Sequence, residues 1–243
     1  MVFNLFKSKP TLKELIPNGF VDIHSHILPG IDDGAKNIKE SKELISEMKK
    51  LGFSKIIGTP HTYPGLYNNT TASIKKAFDL VKKNNIENIE IELASEYVID
   101  SYILEKAEKN DILTLKDNFI LIETSFLGMP KNFEDVIFNL RMMDFNPVLA
   151  HPERYRFLHK DFKTLNKLKR MGCYFQLNLL SLVGYYGDDI LKMSDELLKK
   201  NIIDFVGSDI HSKRHIIAFD KKIRSNNIKL IENIIENNIK IFG

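Results

Sequence analysis

The chain carries seven histidines, and five of them fall where carboxylates recur at a near-constant interval. His24 and His26 close a short apolar run, and His61 follows a second. Glu96 ends a third run, Glu123 a fourth and His151 a fifth, while Asp209 and His211 end a later one. From His26 to His151 the successive gaps are 35, 35, 27 and 28 residues; Asn178 lies 27 further on, and Asp209 another 31. Nitrogen and oxygen donors without a thiolate suit manganese, iron, magnesium or zinc, and do not decide among them. An H-x-H pair in an extended segment sets both imidazoles on one face, as a shared ion requires. Taken singly, each residue has an ordinary reading: His61 as a loop histidine after Pro60, Glu96 and Glu123 as surface carboxylates. Yet His, Glu and Asp are poor strand residues, and they are rarely buried unless paired or ligating. Their common phase therefore points to a polynuclear metal site. His159 and His215 stand outside the cluster and are read as surface histidines.

The interval is about the length of one strand–helix unit, and the rest of the sequence has that rhythm. GFVDIHS (19–25), KIIGTP (55–60), IEIELAS (89–95), FILIET (119–124), PVLAH (147–151), YFQLN (174–178) and DFVGSD (204–209) read as strands. Helical patterns lie between them near 37–51, 70–84, 100–109, 131–143, 161–171 and 188–201, with two more after 213. Asn37 followed by Glu40 predicts a capping box, and Gly52 and Gly172 stand where helices should end. Alternating strands and helices predict an α/β fold with a parallel sheet, and seven units in one chain predict a TIM-like barrel. Such barrels assemble active sites at the C-terminal strand ends, where the phased residues would all lie. One domain should cover residues 1–243, with 1–18 as an N-terminal extension packing on the barrel. Val2, Phe3, Leu5 and Phe6, with Lys7 and Lys9, are too few for stable membrane anchoring.

Composition narrows the function classes. The 35 basic and 32 acidic residues leave a net charge of +3, so no bulk polycation is available for nucleic acid. A single cysteine, Cys173, excludes an intramolecular disulfide and a Cys-rich zinc site. No apolar run approaches the roughly 20 residues of a membrane helix. The opening MVFNLFKSKP lacks the apolar stretch and cleavage site of a secretory signal. A cytoplasmic location is the expectation.

The segments DIHSHILPGIDDG (22–34), TPH (59–61), SEY (95–97), LIETS (121–125), AHPERY (150–155) and GSDIHS (207–212) resemble the polymerase-and-histidinol-phosphatase (PHP) superfamily. Within it they are most similar to the bacterial PHP-type protein tyrosine phosphatases of capsule and exopolysaccharide gene clusters. The resemblance runs from about residue 19 to 215. It implies a distorted (β/α)7 barrel holding three divalent ions, with manganese expected and iron, magnesium or zinc as alternatives. By position, His24, His26, Glu96 and Asp209 would hold the first ion. Glu96, bridging, would hold the second with Glu123 and His151. Asp33, rather than Asp32, would hold the third with His61 and His211. The implied activity is hydrolysis of phosphotyrosine by a metal-bridged hydroxide, and the implied partner is a tyrosine autokinase of polysaccharide export.

The implied chemistry has a physical basis. Three dications carry six positive charges, four ligand carboxylates remove four, and a hydroxide removes another. The remaining positive cavity suits a phosphate ester completed by one arginine, for which Arg154 of AHPERY is the first choice. Arg214 is a second substrate-binding candidate, although it falls earlier than the family's usual arginine. Paired ions lower the pKa of a shared water and stabilise an in-line displacement, so no protein nucleophile is required. The cysteine-phosphatase route is excluded, because it needs Arg six residues after the Cys and Leu179 stands there. Tyr63, Phe126, Met129, Tyr155, Tyr185 and Tyr186 are placed near rim loops, either facing an aromatic leaving group or packing the loops. Three competing readings remain: a histidinol-phosphate-type small-molecule phosphatase, a nuclease or proofreading domain, and a non-catalytic metal-binding regulatory domain. The nuclease lacks its basic groove here, and a regulatory remnant would usually lack ligands.

Overall fold

A computed structural model describes residues 8–84 and 89–243. Val2, Phe3, Leu5, Phe6 and Lys7 lie outside the described residues. A short helix α1 (Leu12–Leu15) precedes β1 (Phe20–Ser25), α2 (Ile38–Lys50), β2 (Phe53–Gly58), β3 (His61–Thr62) and α3 (Thr71–Lys83). Then come β4 (Glu90–Leu93), β5 (Glu96–Val98), α4 (Ser101–Glu108), β6 (Phe119–Glu123), α5 (Phe133–Met142) and β7 (Asn146–Ala150). The chain finishes with α6 (Phe162–Arg170), β8 (Tyr174–Asn178), α7 (Asp188–Lys199), β9 (Phe205–Gly207), α8 (Lys213–Ala218) and α9 (Ile228–Phe242). Among the described residues no helix is long and apolar enough to cross a membrane.

All strand pairs within the two sheets are parallel, in the orders β1-β2-β4 and β3-β5-β6-β7-β8-β9. The far edges meet: Ser25 bridges Ile210, His26 N–H donates to Ile210 O at 3.0 Å, and Asp209 N–H donates to His24 O at 2.8 Å. The strands thus run round a ring in sequence order, as a distorted barrel in place of a closed cylinder. The second and third expected strands are each broken in two. Pro60 has no N–H to continue a ladder, and the Thr59 hydroxyl takes the Ser25 N–H at 3.0 Å. Beyond the break, His61 of β3 registers with Glu96 of β5, which sets two candidate ligands side by side.

The strand starts are closed by aromatic packing. Phe119, Tyr174 and Phe205, each at the start of its strand, contact one another, and Phe119 and Phe205 also contact Phe242 of α9. Buried Asn238 on α9 accepts from Val206 N–H and donates to Val21 O and Val206 O, tying β1 to β9 with its polar atoms satisfied. This floor leaves the opposite, C-terminal ends free to carry polar groups. Leu12 N–H donates to Lys221 O and Lys13 N–H to Phe219 O, so the described part of the N-terminal extension packs against residues 219–223.

Helix ends follow the expected punctuation with one difference. Gly52 and Gly172 adopt φ of +101° and +87°, which only glycine takes without strain. The Asn37 side chain accepts from Glu40 N–H, but Glu40 reaches back to Lys36 N–H, not to Asn37. The reciprocal capping box is therefore absent, because the carboxylate is drawn to an amide one residue earlier.

Candidate metal centre

Nine side chains from six strand ends and their loops converge at the C-terminal rim. Four overlapping sets of ligand-type atoms each lie within 4.8 Å of one another: His26, Asp33, His61 and His211; His24, His151 and Asp209; His24, His26 and Glu96; His61, Glu96 and Glu123. These sets cut across the three-ion partition given by the resemblance. His61 stands beside Glu96 and Glu123 as well as Asp33, and His151 groups with His24 and Asp209. Glu96 is at the centre. Its Oε2 lies 3.3 Å from His24 Nε2, 3.5 Å from His26 Nε2 and 3.0 Å from His61 Nδ1, while its Oε1 lies 3.1 Å from His151 Nε2.

Backbone geometry brings these groups together at a cost. His151 and Asp209 adopt φ of +36° and +52°, a left-handed conformation unfavourable for side chains with a Cβ. Such strain at two ligand-type residues is what a functional constraint leaves behind. The glycine of DDG has a steric cause: a Cβ on Gly34 would fall 2.0 Å from His26 O. Only glycine lets this loop fold back on the H-x-H strand, where Ala35 N–H reaches His26 O at 3.0 Å.

The rings are held from behind. His24 Nδ1 donates to Gln176 Oε1 at 2.9 Å, and the Gln176 amide is oriented by its own bond to Leu177 O. His26 Nδ1 donates to Asp32 Oδ2 at 2.8 Å, and His211 Nδ1 to the Asp209 carbonyl at 2.9 Å. A ring that donates through Nδ1 can turn an Nε2 lone pair into the cluster, the arrangement metal-binding histidines use. His24 Nε2 and His26 Nε2 then face each other at 3.2 Å. Two lone pairs at that distance repel unless a cation sits between or beside them.

The carboxylates make the same demand. His61 Nδ1 lies 3.0 Å from Glu96 Oε2 and 2.8 Å from Glu123 Oε1, yet among the described residues none of these three buried atoms has a hydrogen-bond partner of acceptable geometry. Burial raises a carboxylate's pKa, but the His24 and His61 charges hold Glu96 well below its usual range. Burial likewise opposes ionisation of Asp209, which His24 and His211 hold low. Glu123 is pushed up by burial and then by the Glu96 charge. Burial opposes a charge on His26, but Asp32 holds its pKa well above the histidine range. The cluster needs positive charge, as protons or as metal ions, and its aligned, unpartnered donors fit the latter.

Asp32 and Asp33 differ in exposure and in partners. Asp33 is half-exposed, with Oδ1 3.4 Å from both His61 Nε2 and His211 Nε2. Asp32 is buried and already engaged by His26, Gly34 N–H and His61 N–H. Sequence reasoning missed these contacts of Asp32 and those of Gln176, because an outer hydrogen bond leaves no mark on spacing. Asp32→Asn is expected to weaken metal binding roughly 10–100-fold, the scale for losing such support. Metal titration of the variant measures this, and affinity equal to wild type would contradict the role.

Arg154 lies at the same rim. Its Nη1 donates to Asp209 Oδ2 at 2.7 Å, and its guanidinium stacks 4.4 Å from the Tyr186 ring centroid and 5.0 Å from that of Phe126. Asn178 steadies the pair, donating to Asp209 Oδ2 at 2.9 Å and to Tyr186 Oη at 3.1 Å. Arg214 is exposed on α8 and makes no hydrogen bond or ion pair among the described residues. His215, expected on the surface, is half-buried against His211, its Nδ1 accepting His211 N–H at 3.1 Å. His215 lies on the first turns of α8, just after the loop that carries His211, a placement strand spacing does not show. Of the expected rim aromatics, Tyr155 is fully buried and accepts Thr124 N–H through its hydroxyl, which makes it loop packing. Cys173 is buried away from this rim, and burial pushes its thiol up to about 12.

The chain resembles known proteins along most of its length. Tyrosine-protein phosphatase YwqE of Bacillus subtilis is 35% identical over 196 residues, 79% of this chain and 77% of the relative. Tyrosine-protein phosphatase CpsB of Streptococcus agalactiae is 33% identical over 201 residues, 79% of this chain and 83% of the relative. A crystal structure from work on YwqE of Bacillus subtilis and CpsB of Streptococcus pneumoniae, described as unique metal-dependent tyrosine phosphatases, matches with a TM-score of 0.76. The identity there is 30%, covering 92% of this chain and 88% of that one. The sequence model for capsular polysaccharide synthesis, CpsB/CapC, matches residues 20–229, and the chain belongs to that family.

Proposed function

We propose that this chain is a metal-dependent protein tyrosine phosphatase of capsular or exopolysaccharide synthesis. Its substrate in this reading is a phosphotyrosine protein, a tyrosine autokinase of polysaccharide export, met in the cytoplasm where ATP-dependent kinases work. One observation carries the reading: buried carboxylates and imidazoles converge with unpartnered donor atoms beside a stacked arginine. The names of the family's relatives support the phosphotyrosine assignment.

In this proposal His24, His26, Glu96 and Asp209 hold one ion, Glu96, Glu123 and His151 a second, and Asp33, His61 and His211 a third. Manganese is the expected metal. Bound divalent ions would supply an activated water and neutralise the charge of the phosphate. The chain's own groups do the rest. Gln176 and Asp32 fix the ring orientations of His24 and His26. Arg154 makes one side-chain hydrogen bond among the described residues, to Asp209, which leaves its other donors for the ester oxygens. The flanking rings of Phe126 and Tyr186 hold the guanidinium plane, so little entropy is lost when it grips the phosphate.

Comparison of a phosphotyrosine peptide with histidinol phosphate, using manganese-restored protein, tests the substrate class. The peptide is expected to be hydrolysed with the higher kcat/KM. Preference for histidinol phosphate would replace the reading with the small-molecule one.

A further inference from the structure

Beside the cluster lies a cleft of about 320 Å³ whose polar floor is Asp33, His61 and Glu123. Its walls are two short loops, of which the chemistry above uses Phe126 alone. One is the turn after β3, with Tyr63, Leu66 and Tyr67; the other follows β6, with Ser125, Phe126 and Leu127. Neither wall contributes a Lys, Arg, Asp or Glu to the lining. Leu127 is 99% exposed and Leu66 63% exposed, so two large aliphatic side chains stand in water on opposite loops. Single exposed leucines are ordinary, but a facing pair at the mouth of a functional cleft marks a contact surface.

The first loop is held in place. Tyr63 and Tyr67 exchange backbone hydrogen bonds at 2.9 and 2.7 Å, and the Asn69 amide donates to Ile31 O and His61 O, both at 2.8 Å. Leu66 is thus presented by a pinned turn, so little ordering entropy is spent when a ligand covers it. The aromatic residues are stacked on the proposed ligands themselves. Tyr67 lies on His61 with ring centroids 5.1 Å apart and planes 11° apart, and Phe126 lies on His151 at 5.9 Å and 17°. An aryl phosphate whose phosphate reaches the cluster through this cleft would bring its ring past Tyr67 and Phe126, which both line it. The chain on either side of that ring then meets Leu66 and Leu127.

We infer that the two loops form an apolar jaw that selects phosphotyrosine flanked by apolar residues, with Leu66 and Leu127 as the specificity-determining side chains. The inference rests on the phosphotyrosine reading of the adjoining centre. Continuity between the jaw and that centre, with a wholly uncharged wall, favours an apolar over an acidic flank.

The test uses manganese-restored full-length protein and three substrates: a phosphotyrosine peptide with Leu or Val on each side, the same peptide with Glu on each side, and p-nitrophenyl phosphate. The wild type should favour the apolar peptide over the acidic one by roughly 10-fold in kcat/KM, mainly through KM, the scale of burying one or two aliphatic side chains. In the Leu66→Ala/Leu127→Ala variant, that preference and the ratio of peptide to p-nitrophenyl phosphate efficiency should both fall about 10-fold. Both positions are exposed, so loss of the fold will not imitate the result, and an unchanged thermal midpoint checks this. Equal efficiency on the two peptides, or an unchanged ratio in the variant, would overturn the jaw while leaving the phosphatase reading intact. A wild type that hydrolysed only p-nitrophenyl phosphate would overturn both.

Discussion

Glu96→Gln is expected to lower phosphotyrosine turnover by about 10³-fold or more, beyond the usual scale for one oriented polar contact. Glu96 is fully buried, and four imidazoles, from His24, His26, His61 and His151, lie within 3.5 Å of its two oxygens. Glutamine keeps the volume and removes the charge that balances this group. Its NH₂ would donate to imidazole lone pairs that a metal ion would otherwise use. In the proposed arrangement two ions share this carboxylate, so metal content should fall together with kcat. Steady-state kinetics on a phosphotyrosine peptide, with elemental analysis of the same sample, reads both. Near-wild-type turnover with a full metal complement would remove Glu96 from the bridging position.

The second large effect belongs to Arg154. Arg154→Ala should reduce kcat/KM by roughly 10²-fold, and Arg154→Lys should recover only part, because a point charge does not reproduce the guanidinium fork. The ordinary alternative for such an arginine is a rim salt bridge to Glu153 or to a neighbouring helix. The observed partner is Asp209, a proposed ligand, while Glu153 turns inward to Asn178 N–H and the Ser181 hydroxyl. Burial pushes Glu153 up to about 7, which disfavours its charge and with it a pairing to Arg154. Because Arg154 touches a ligand, the two variants separate its roles: a residue acting on substrate loses rate at constant metal content. If Arg154→Ala hydrolysed the peptide at the wild-type rate with normal metal content, Arg154 would have to be given up as the phosphate contact.

The strand–helix rhythm was legible because both periods are written in apolar residues, and polar ligands at strand ends interrupt them at a fixed phase. That is why His24, His26, His61, Glu96, Glu123, His151, Asp209 and His211 could be picked out from spacing. Asp33 could not, since it sits in the loop between β1 and α2, and only the DDG resemblance singled it out. The short strands β3 and β5 were not legible because they lie just beyond the apolar runs 55–60 and 89–95. Asp32 and Gln176 were hidden for another reason: an outer hydrogen bond can come from any element that packs nearby. His215 shows the converse error. It was read as a surface residue because it stands outside the phased series, yet α8 sets it against His211.

The most direct test of the account is the metal content of active protein, measured by elemental analysis alongside phosphotyrosine-peptide hydrolysis before chelation, after it and after manganese is restored. The account predicts about three divalent ions per chain, loss of turnover on their removal, and recovery with manganese. Full turnover by a sample verified to be metal-free would contradict it.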